Sequence, residues 1–365
     1  MAWVKPLYSK ERVKRAGILL ASEDLFSQEF DAIDEAFQIL NNWRSSHNYP
    51  VNTFQASLRA KLSKLKIEAT VAQRLKRTPS IINKLQLNPR MSLSRMQDIG
   101  GLRAVVPTIT DVNKLWYSFK ESRFDHVLVQ EKDYIAEPKS SGYRGIHLVY
   151  KYNNRKGSGP DYESLQVEIQ IRNKMQHAWA TAVETAGLFL GQALKSSIGS
   201  EQWLEFFSYA SSAFAILERA PVFEGHRGIS EADIFLRTVE LERALQVISS
   251  LDVYKAAINY QNTQDKKVHY FLMCLDPGSR TGSVSGFERG EFQRATELYM
   301  EQERAVVGTG VQVVLVAAQS IDSLKKAYPN YFMDTGLFVA RLRRVQANVT
   351  GKSRQLELDD EPALQ

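Results

Sequence analysis

Apolar residues recur every three or four positions along the first part of the chain. Phe30, Ile33, Phe37, Leu40 and Trp43 line one face, and Leu58, Leu62 and Leu65 line another with Arg and Lys outward. This period predicts helix over 26–66, with a second helix running from about Phe54 to Leu65. Thr78-Pro-Ser reads as a helix start, a Thr cap with Pro just inside, followed by Ile81, Ile82 and Leu85 as its buried face. The pattern then shortens. Leu102 to Val106 is a short strand ended by Pro107, and Thr110 opens an amphipathic, capped helix. Stretches 127–134, 145–152 and 165–171 have strand composition. The Asn/Gly-rich segment 153–163 makes the last two an antiparallel pair. Helix returns at 174–191, about 200–218 and about 229–263.

A second alternation begins near Lys266. His269 to Leu275 is predicted as a strand, Gly278 to Ser285 as a Gly/Ser-rich loop, Phe292 to Arg304 as a helix and 311–318 as a strand. Ile321 to Tyr328 is predicted as a helix and Gly336 to Leu342 as a closing strand, a β-α-β-α-β unit. The expected divisions are an N-terminal helical region over 1–70, a catalytic core over 71–260, a smaller α/β domain over 265–350 and a disordered tail over 351–365.

Composition narrows the class. With 365 residues, 44% of them hydrophobic, two domains with real cores are expected. No apolar run approaches the roughly 18 residues of a membrane span, no signal-peptide pattern opens the chain, and the single cysteine, Cys274, forms no internal disulfide. A cytoplasmic protein with no membrane partner is the expectation. The net charge of +6 is unevenly placed: eleven basic residues lie from Arg59 to Arg103, against two acids, Glu68 and Asp98. Such a stretch attracts phosphate, on a nucleotide or on RNA, and is equally the pattern of a solvated helix face.

Three constellations carry chemistry. Arg74, Lys76, Arg77 and Lys84 flank a predicted helix N-terminus, where guanidinium forks and free N–H groups suit phosphate. There is no Walker loop, so side chains must hold any phosphates. Asp98, isolated in this basic field and followed by Gly100 and Gly101, is a candidate Mg²⁺ ligand; a salt bridge to Arg95 or Arg103 is the alternative. Glu168, Gln170 and Arg172 alternate along one strand face with Val167, Ile169 and Ile171 on the other, the pattern of an active-site strand and also of any half-solvated strand. There Glu168 could ligate metal or accept a proton from a sugar hydroxyl. Tyr143, between Gly142 and Arg144, reads as an exposed base-stacking residue. A lone histidine such as His147 or His177 is more often a satisfied hydrogen-bonder than a catalyst, and Trp179 reads as core.

Four stretches in order, 74–84, 96–103, 133–147 and 167–179, resemble the RelA/SpoT synthetase domain. The resemblance implies a nucleotidyltransferase-like α/β fold, a mixed sheet flanked by helices. It also implies Mg²⁺-dependent transfer of pyrophosphate from ATP to a 3′-hydroxyl. By this resemblance Arg74 and Arg103 contact the ATP base and phosphates, and Lys76, Ser80 and Lys84 contact its phosphates. Asp98 binds Mg²⁺, and Glu168 activates the acceptor hydroxyl and shares the metal. Lys139, Tyr143, His147, Gln170 and Arg172 line the acceptor site, with Tyr143 stacking on the acceptor base. The loop reads Ser-Gly-Tyr-Arg-Gly-Ile-His, where the family more commonly has Asn- or Asp-Gly-Tyr.

No His-Asp dipeptide occurs and the first 100 residues hold only His47, so the family's hydrolase domain is not expected. A C-terminal α/β domain after the synthetase resembles toxic members in which that part acts as a fused antitoxin or phage sensor. The implied acceptor is GDP or GTP, giving an alarmone, or the tRNA 3′ end, giving translational arrest. In the toxic arrangement a phage or cellular protein would act as trigger on the C-terminal domain. A catalytically silent nucleotide-binding sensor is the reading from a different class.

Overall fold

The structure is a computed structural model describing residues 3–22, 29–122, 124–154, 159–190, 194, 200–256, 259–261, 268–276, 279, 281–306, 309, 311–317 and 335–351. Three helices lead, α1 (Lys10–Leu20), α2 (Phe30–Ser46) and α3 (Asn48–Leu65). Then come β1 (Thr70–Leu75), α4 (Thr78–Gln86), β2 (Gly100–Val106), α5 (Ile109–Lys120), β3 (Val127–Asp133), β4 (Ile146–Lys151) and β5 (Gln166–Asn173). Helices α6 (Lys174–Phe189), α7 (Glu201–Leu217), α8 (Glu231–Leu245) and α9 (Val247–Ala256) follow. The last part holds β6 (Asn259–Gln261), β7 (Val268–Asp276), β8 (Thr281–Glu288), α10 (Phe292–Ala305), β9 (Gln312–Ala317) and α11 (Gly336–Thr350).

Among the described residues the strands run β3-β4-β5-β2-β1-β9-β7-β8-β6. The first five form a mixed sheet: β2 and β5 are parallel, and the other pairs antiparallel. The expected β4/β5 antiparallel pair is present, with His147 opposite Gln170. The C-terminal strands make a smaller sheet that meets the first edge to edge at Gln73 and Ala317. The expected α/β class, with a second, smaller sheet unit, is the observed one.

One core lies between the five-stranded sheet and α1–α5, with Leu40, Phe54, Leu58, Ile81, Leu102 and Ile169 among its buried residues. A second joins α6–α9 to α11. At the join of β5 and α6, Asn173 and Gln176 form a reciprocal capping box, so β5 runs into a helix whose first turn is fixed.

Several expectations change. Helix α3 starts at Asn48, not near Phe54, because Pro50 is tolerated in a first helical turn. Phe30, placed on the buried face, is 81% exposed at the very start of α2. Helix α5 is capped by Thr108, whose hydroxyl accepts from Asp111 N–H, and not by Thr110. Helix α1 and strand β1 were not predicted. The segment expected to stay helical to 263 breaks at Gln246, which is left-handed with φ 51°, and 259–261 is strand. The expected Gly/Ser loop is largely β8, whose burial alternates along its length. Its Gly286 is small because a Cβ there would lie 2.7 Å from Val268 Cγ2. The expected closing strand is α11: Phe338, Val339, Leu342 and Val345 fall at helical spacing and pack into the second core. The expected helix 321–328 and the tail lie outside the described residues.

Candidate active site

Strands β1, β2 and β5 build one polar pocket lined by Ala72, Arg74, Asp98, Gly101, Leu102, Arg103, Glu168 and Gln170. Register explains the grouping. Arg74 pairs with Gly101, which pairs with Glu168, and Arg103 pairs with Gln170. The two glycines serve different ends. A Cβ on Gly100 would come within 2.6 Å of Val51 Cγ2, so this residue lets the helical layer pack closely. A Cβ on Gly101 would meet only backbone at 3.9 Å; its missing side chain leaves the pocket floor open between Arg74 and Glu168.

Asp98 sits where β2 begins, gripped by Lys76 at 3.0 Å and Lys84 at 2.9 Å. Salt bridges to these two lysines hold it, where the sequence offered Arg95 or Arg103 as the alternative to metal binding. Burial opposes ionisation, but the two lysines outweigh it and keep the carboxyl below its ordinary range, while Glu168 pulls the other way. Lys76 is itself lowered, mainly by burial, with Arg74 and Lys84 adding repulsion against the pull of Asp98. Cations crowded this way are strained against one another, and a polyphosphate would relieve that strain. Ser80 lies in the first turn of α4, between Lys76 and Lys84.

Around Glu168 the side chains form a hydrogen-bonded chain. His147 Nδ1 donates to Glu168 Oε1 at 2.7 Å, and Gln170 Nε2 donates to Oε2 at 2.7 Å. Although burial works against it, the contacts from His147 and Gln170 bring the Glu168 carboxyl down to about 2. The Tyr143 hydroxyl accepts from Arg172 Nη2 at 2.7 Å and Nε at 3.1 Å, and pairs with His147 Nε2. With both acceptor positions filled by Arg172, the hydroxyl proton goes to Nε2, which leaves the His147 proton on Nδ1 facing Glu168. Arg172 Nη2 also reaches Gln170 Oε1 at 3.0 Å.

Tyr143 is therefore half-buried, not the exposed platform its flanking residues suggested. Burial raises its phenol. Lys139 Nζ lies 5.3 Å and Arg172 Cζ 4.7 Å from its ring centroid. The loop is anchored from behind. Gly142 has φ +88°, and a Cβ there would lie 2.8 Å from Ser211 Cβ. Ser211 Oγ donates to the Gly142 carbonyl, and buried Arg144 pairs with Glu218 at 3.1 Å. Trp179 is core, as expected, donating to the Phe207 carbonyl at 2.9 Å. Sequence reasoning missed Tyr134, which packs edge-on to both Tyr143 and His147 and carries Lys139 over its ring at 4.5 Å. Its place directly after β3 was the available signal.

Asp98 and Glu168 face one pocket across Gly101, each too ionised to be a neutral acid. Among the described residues no three His, Cys, Asp or Glu side chains group as a metal site. Two carboxylates beside a cluster of cations nonetheless fit Mg²⁺, which takes few protein ligands and completes its shell with water and phosphate oxygens.

Residues 73–188 match the family model described as the region found in RelA / SpoT proteins. The chain carries a RelA/SpoT-family region. Every residue expected to form the site lies inside it. Among curated proteins, the chain is 38% identical over 113 residues to the GTP pyrophosphokinase YjbM of Bacillus subtilis, covering 30% of this chain and 52% of that one. It is 28% identical over 140 residues to a GTP pyrophosphokinase of Escherichia coli K12, covering 38% and 17%. The chain thus spans about half the length of YjbM. A solved structure of small alarmone synthetase 1 from Bacillus subtilis, bound to its product pppGpp, is 28% identical, with a TM-score of 0.41 over 47% of this chain and 89% of that one. The RelA/SpoT region ends before the C-terminal sheet begins. No described helix is long and apolar enough to cross a membrane.

Proposed function

We propose that the chain is a pyrophosphokinase that moves the terminal pyrophosphate of ATP onto the 3′-hydroxyl of a nucleotide, with Mg²⁺ as cofactor. The observation that carries this is Glu168: an ionised, doubly oriented carboxylate in the same pocket as Asp98, Arg74 and Arg103, with Lys76 and Lys84 paired to Asp98.

In this reading Arg74 and Arg103 hold the adenine and phosphates, and Lys76, Ser80 and Lys84 hold the phosphate chain. Asp98 and Glu168 would hold Mg²⁺, which supplies neutralisation of the phosphate charge. The acceptor lies against Lys139, Tyr143 and Arg172. Glu168, fixed by His147 and Gln170, takes the 3′-hydroxyl proton as that oxygen bonds to the β-phosphorus. The bond from the β-phosphorus to its bridging α-oxygen breaks, and AMP leaves. His147 and Gln170 act by orientation, so the carboxylate needs no rearrangement when the reaction begins.

The acceptor we favour is GDP or GTP, the substrate class in the names of the relatives. A second reading has its own support. The basic stretch 59–103, in which Arg59, Lys64, Lys66, Arg90 and Arg95 are exposed, suits an RNA backbone and the tRNA 3′ end. In that case the product is a blocked tRNA, and the chain acts as a toxin that its C-terminal unit restrains until a phage or cellular protein binds. Incubation with labelled ATP and GDP, GTP or deacylated tRNA separates these: label on guanosine nucleotides alone supports the first, and label on tRNA alone overturns it. ATP binding without transfer to any acceptor would favour the silent sensor.

A further inference from the structure

A polar cluster outside the catalytic pocket joins the two units. Arg44, on α2, is 2% exposed. Its Nε donates to the Lys76 carbonyl at 2.9 Å, its Nη1 to Thr78 Oγ1 at 2.7 Å, and its Nη2 to the Tyr299 hydroxyl at 2.6 Å. Glu303, one turn after Tyr299 on α10, accepts from Thr78 N–H at 2.8 Å and from the Tyr299 hydroxyl at 2.7 Å, and pairs with Arg44 at 3.3 Å. Tyr299 and Glu303 are also buried. The cluster therefore closes on the backbone of residues 76–78. That backbone links the strand carrying Arg74 to the helix carrying Ser80 and Lys84.

The placement at α4 is specific. The N-cap residue of α4 is Arg77, which makes no side-chain cap bond, so the helix has no cap from its own segment. Glu303 supplies one from the other unit, using the charge that a helix N-terminus favours. Arg77 instead reaches across to Gln312 on β9 at 2.9 Å. On its other side the Lys76 N–H donates to the Ile99 carbonyl at 2.8 Å, so the peptide that aims Lys76 at Asp98 is held at both ends. A buried ion pair offsets little more than its own desolvation, so a gain in overall stability does not account for the arrangement. Among the described residues, none of 268–317 lines the pocket of Arg74, Arg103, Asp98 and Glu168.

The geometry points to Arg44, Tyr299 and Glu303 as positioning residues of the donor half: the docked C-terminal unit fixes the 76–78 backbone and so aims Lys76, Ser80 and Lys84 at the ATP triphosphate. This rests on the donor reading above. It makes the C-terminal unit a part that completes the ATP site in this arrangement.

The test is equilibrium titration of the full chain with a non-hydrolysable ATP analogue and Mg²⁺, without acceptor, followed by steady-state assays. Glu303→Gln weakens analogue binding roughly tenfold, as expected for a lost charge-assisted bond that fixes the site. Tyr299→Phe weakens it less and in the same direction. Glu301→Gln, at an exposed position of the same helix, matches the unaltered chain. In steady state the KM for ATP rises while the acceptor KM holds. Equal or tighter analogue binding by Glu303→Gln overturns the proposal, tighter binding making the docked unit inhibitory instead. Should thermal melting show Glu303→Gln to be unfolded, Tyr299→Phe decides, and unchanged affinity there overturns it. An unaltered chain that binds no analogue removes the donor reading itself, which separates that failure from failure of the positioning claim.

Discussion

His147 Nδ1 lies 2.7 Å from Glu168 Oε1, and this contact holds the carboxylate ionised and aimed into the pocket it shares with Asp98. Gln170 holds the other oxygen. Neither partner can take the place of the carboxylate, because both donate to it. Glu168→Gln keeps the shape but removes the base. We expect transfer to fall by about 10²–10⁴-fold, with the melting profile and ATP-analogue binding retained. Full transfer by Glu168→Gln would remove Glu168 as the base.

Tyr143 tests the acceptor half. Tyr143→Ala takes away the ring between Lys139 and Arg172, and acceptor use should weaken by ~1–3 kcal/mol, the range of base stacking. Tyr143→Phe keeps the ring and loses only the hydroxyl that orders Arg172 and His147, so its effect falls on kcat more than on acceptor KM. Acceptor kinetics unchanged in Tyr143→Ala would place the base elsewhere.

The loop carrying Tyr143 is set by Gly142. Its φ of +88° is one that side-chain-bearing residues rarely adopt, and Ser211 and Phe207 leave no room for a Cβ. Gly142→Ala should cost about 1–3 kcal/mol in stability and raise the acceptor KM while leaving ATP-analogue binding unchanged. Denaturant unfolding and the two titrations check this. Equal weakening of both substrates would mean a global defect, not a loop defect.

The candidate site was legible in sequence because its residues fall in short stretches. Arg74 to Lys84 runs from β1 into α4, Asp98 to Arg103 runs into β2, and strand alternation alone puts Glu168, Gln170 and Arg172 on one face of β5. Partners that come together only by folding were hidden. Asp98 pairs with Lys76 and Lys84, 22 and 14 residues earlier in the chain, and not with the Arg95 three residues before it. Arg44 reads as an ordinary surface residue on α2 until α10 arrives from residues 255 to 259 positions later in the chain. Gly336 to Leu342, taken alone, is short and largely apolar and so reads as a strand; the helical period of α11 shows when Val345 and Val349 are included. Strand β8 was hidden by Gly and Ser, which pack closely in a strand yet read as loop.

Acid stability offers an independent check on the helical layer. His47 is 1% exposed, its Nδ1 bonded to the Trp43 carbonyl at 2.7 Å, and burial brings its imidazole down to about 4. The unfolded chain binds the proton more readily, so the stabilising effect is complete above the ordinary value near 6.5 and is lost as pH falls through about 4. That loss amounts to about 3 kcal/mol. Denaturant midpoints of the full chain should fall between pH 6.5 and 4, and His47→Gln should flatten that part of the curve. A curve of the same steepness in the variant would assign the acid sensitivity to other groups.

The most direct measurement of the central claim is transfer from ATP labelled at the β-phosphate, with Mg²⁺, by the unaltered chain and by Glu168→Gln. The account predicts AMP formed in step with labelled pyrophosphate on an acceptor 3′-hydroxyl, GDP or GTP before tRNA, with transfer by the variant lower by about 10²–10⁴-fold. Label released only as free phosphate, or AMP formed equally by both chains, would contradict it.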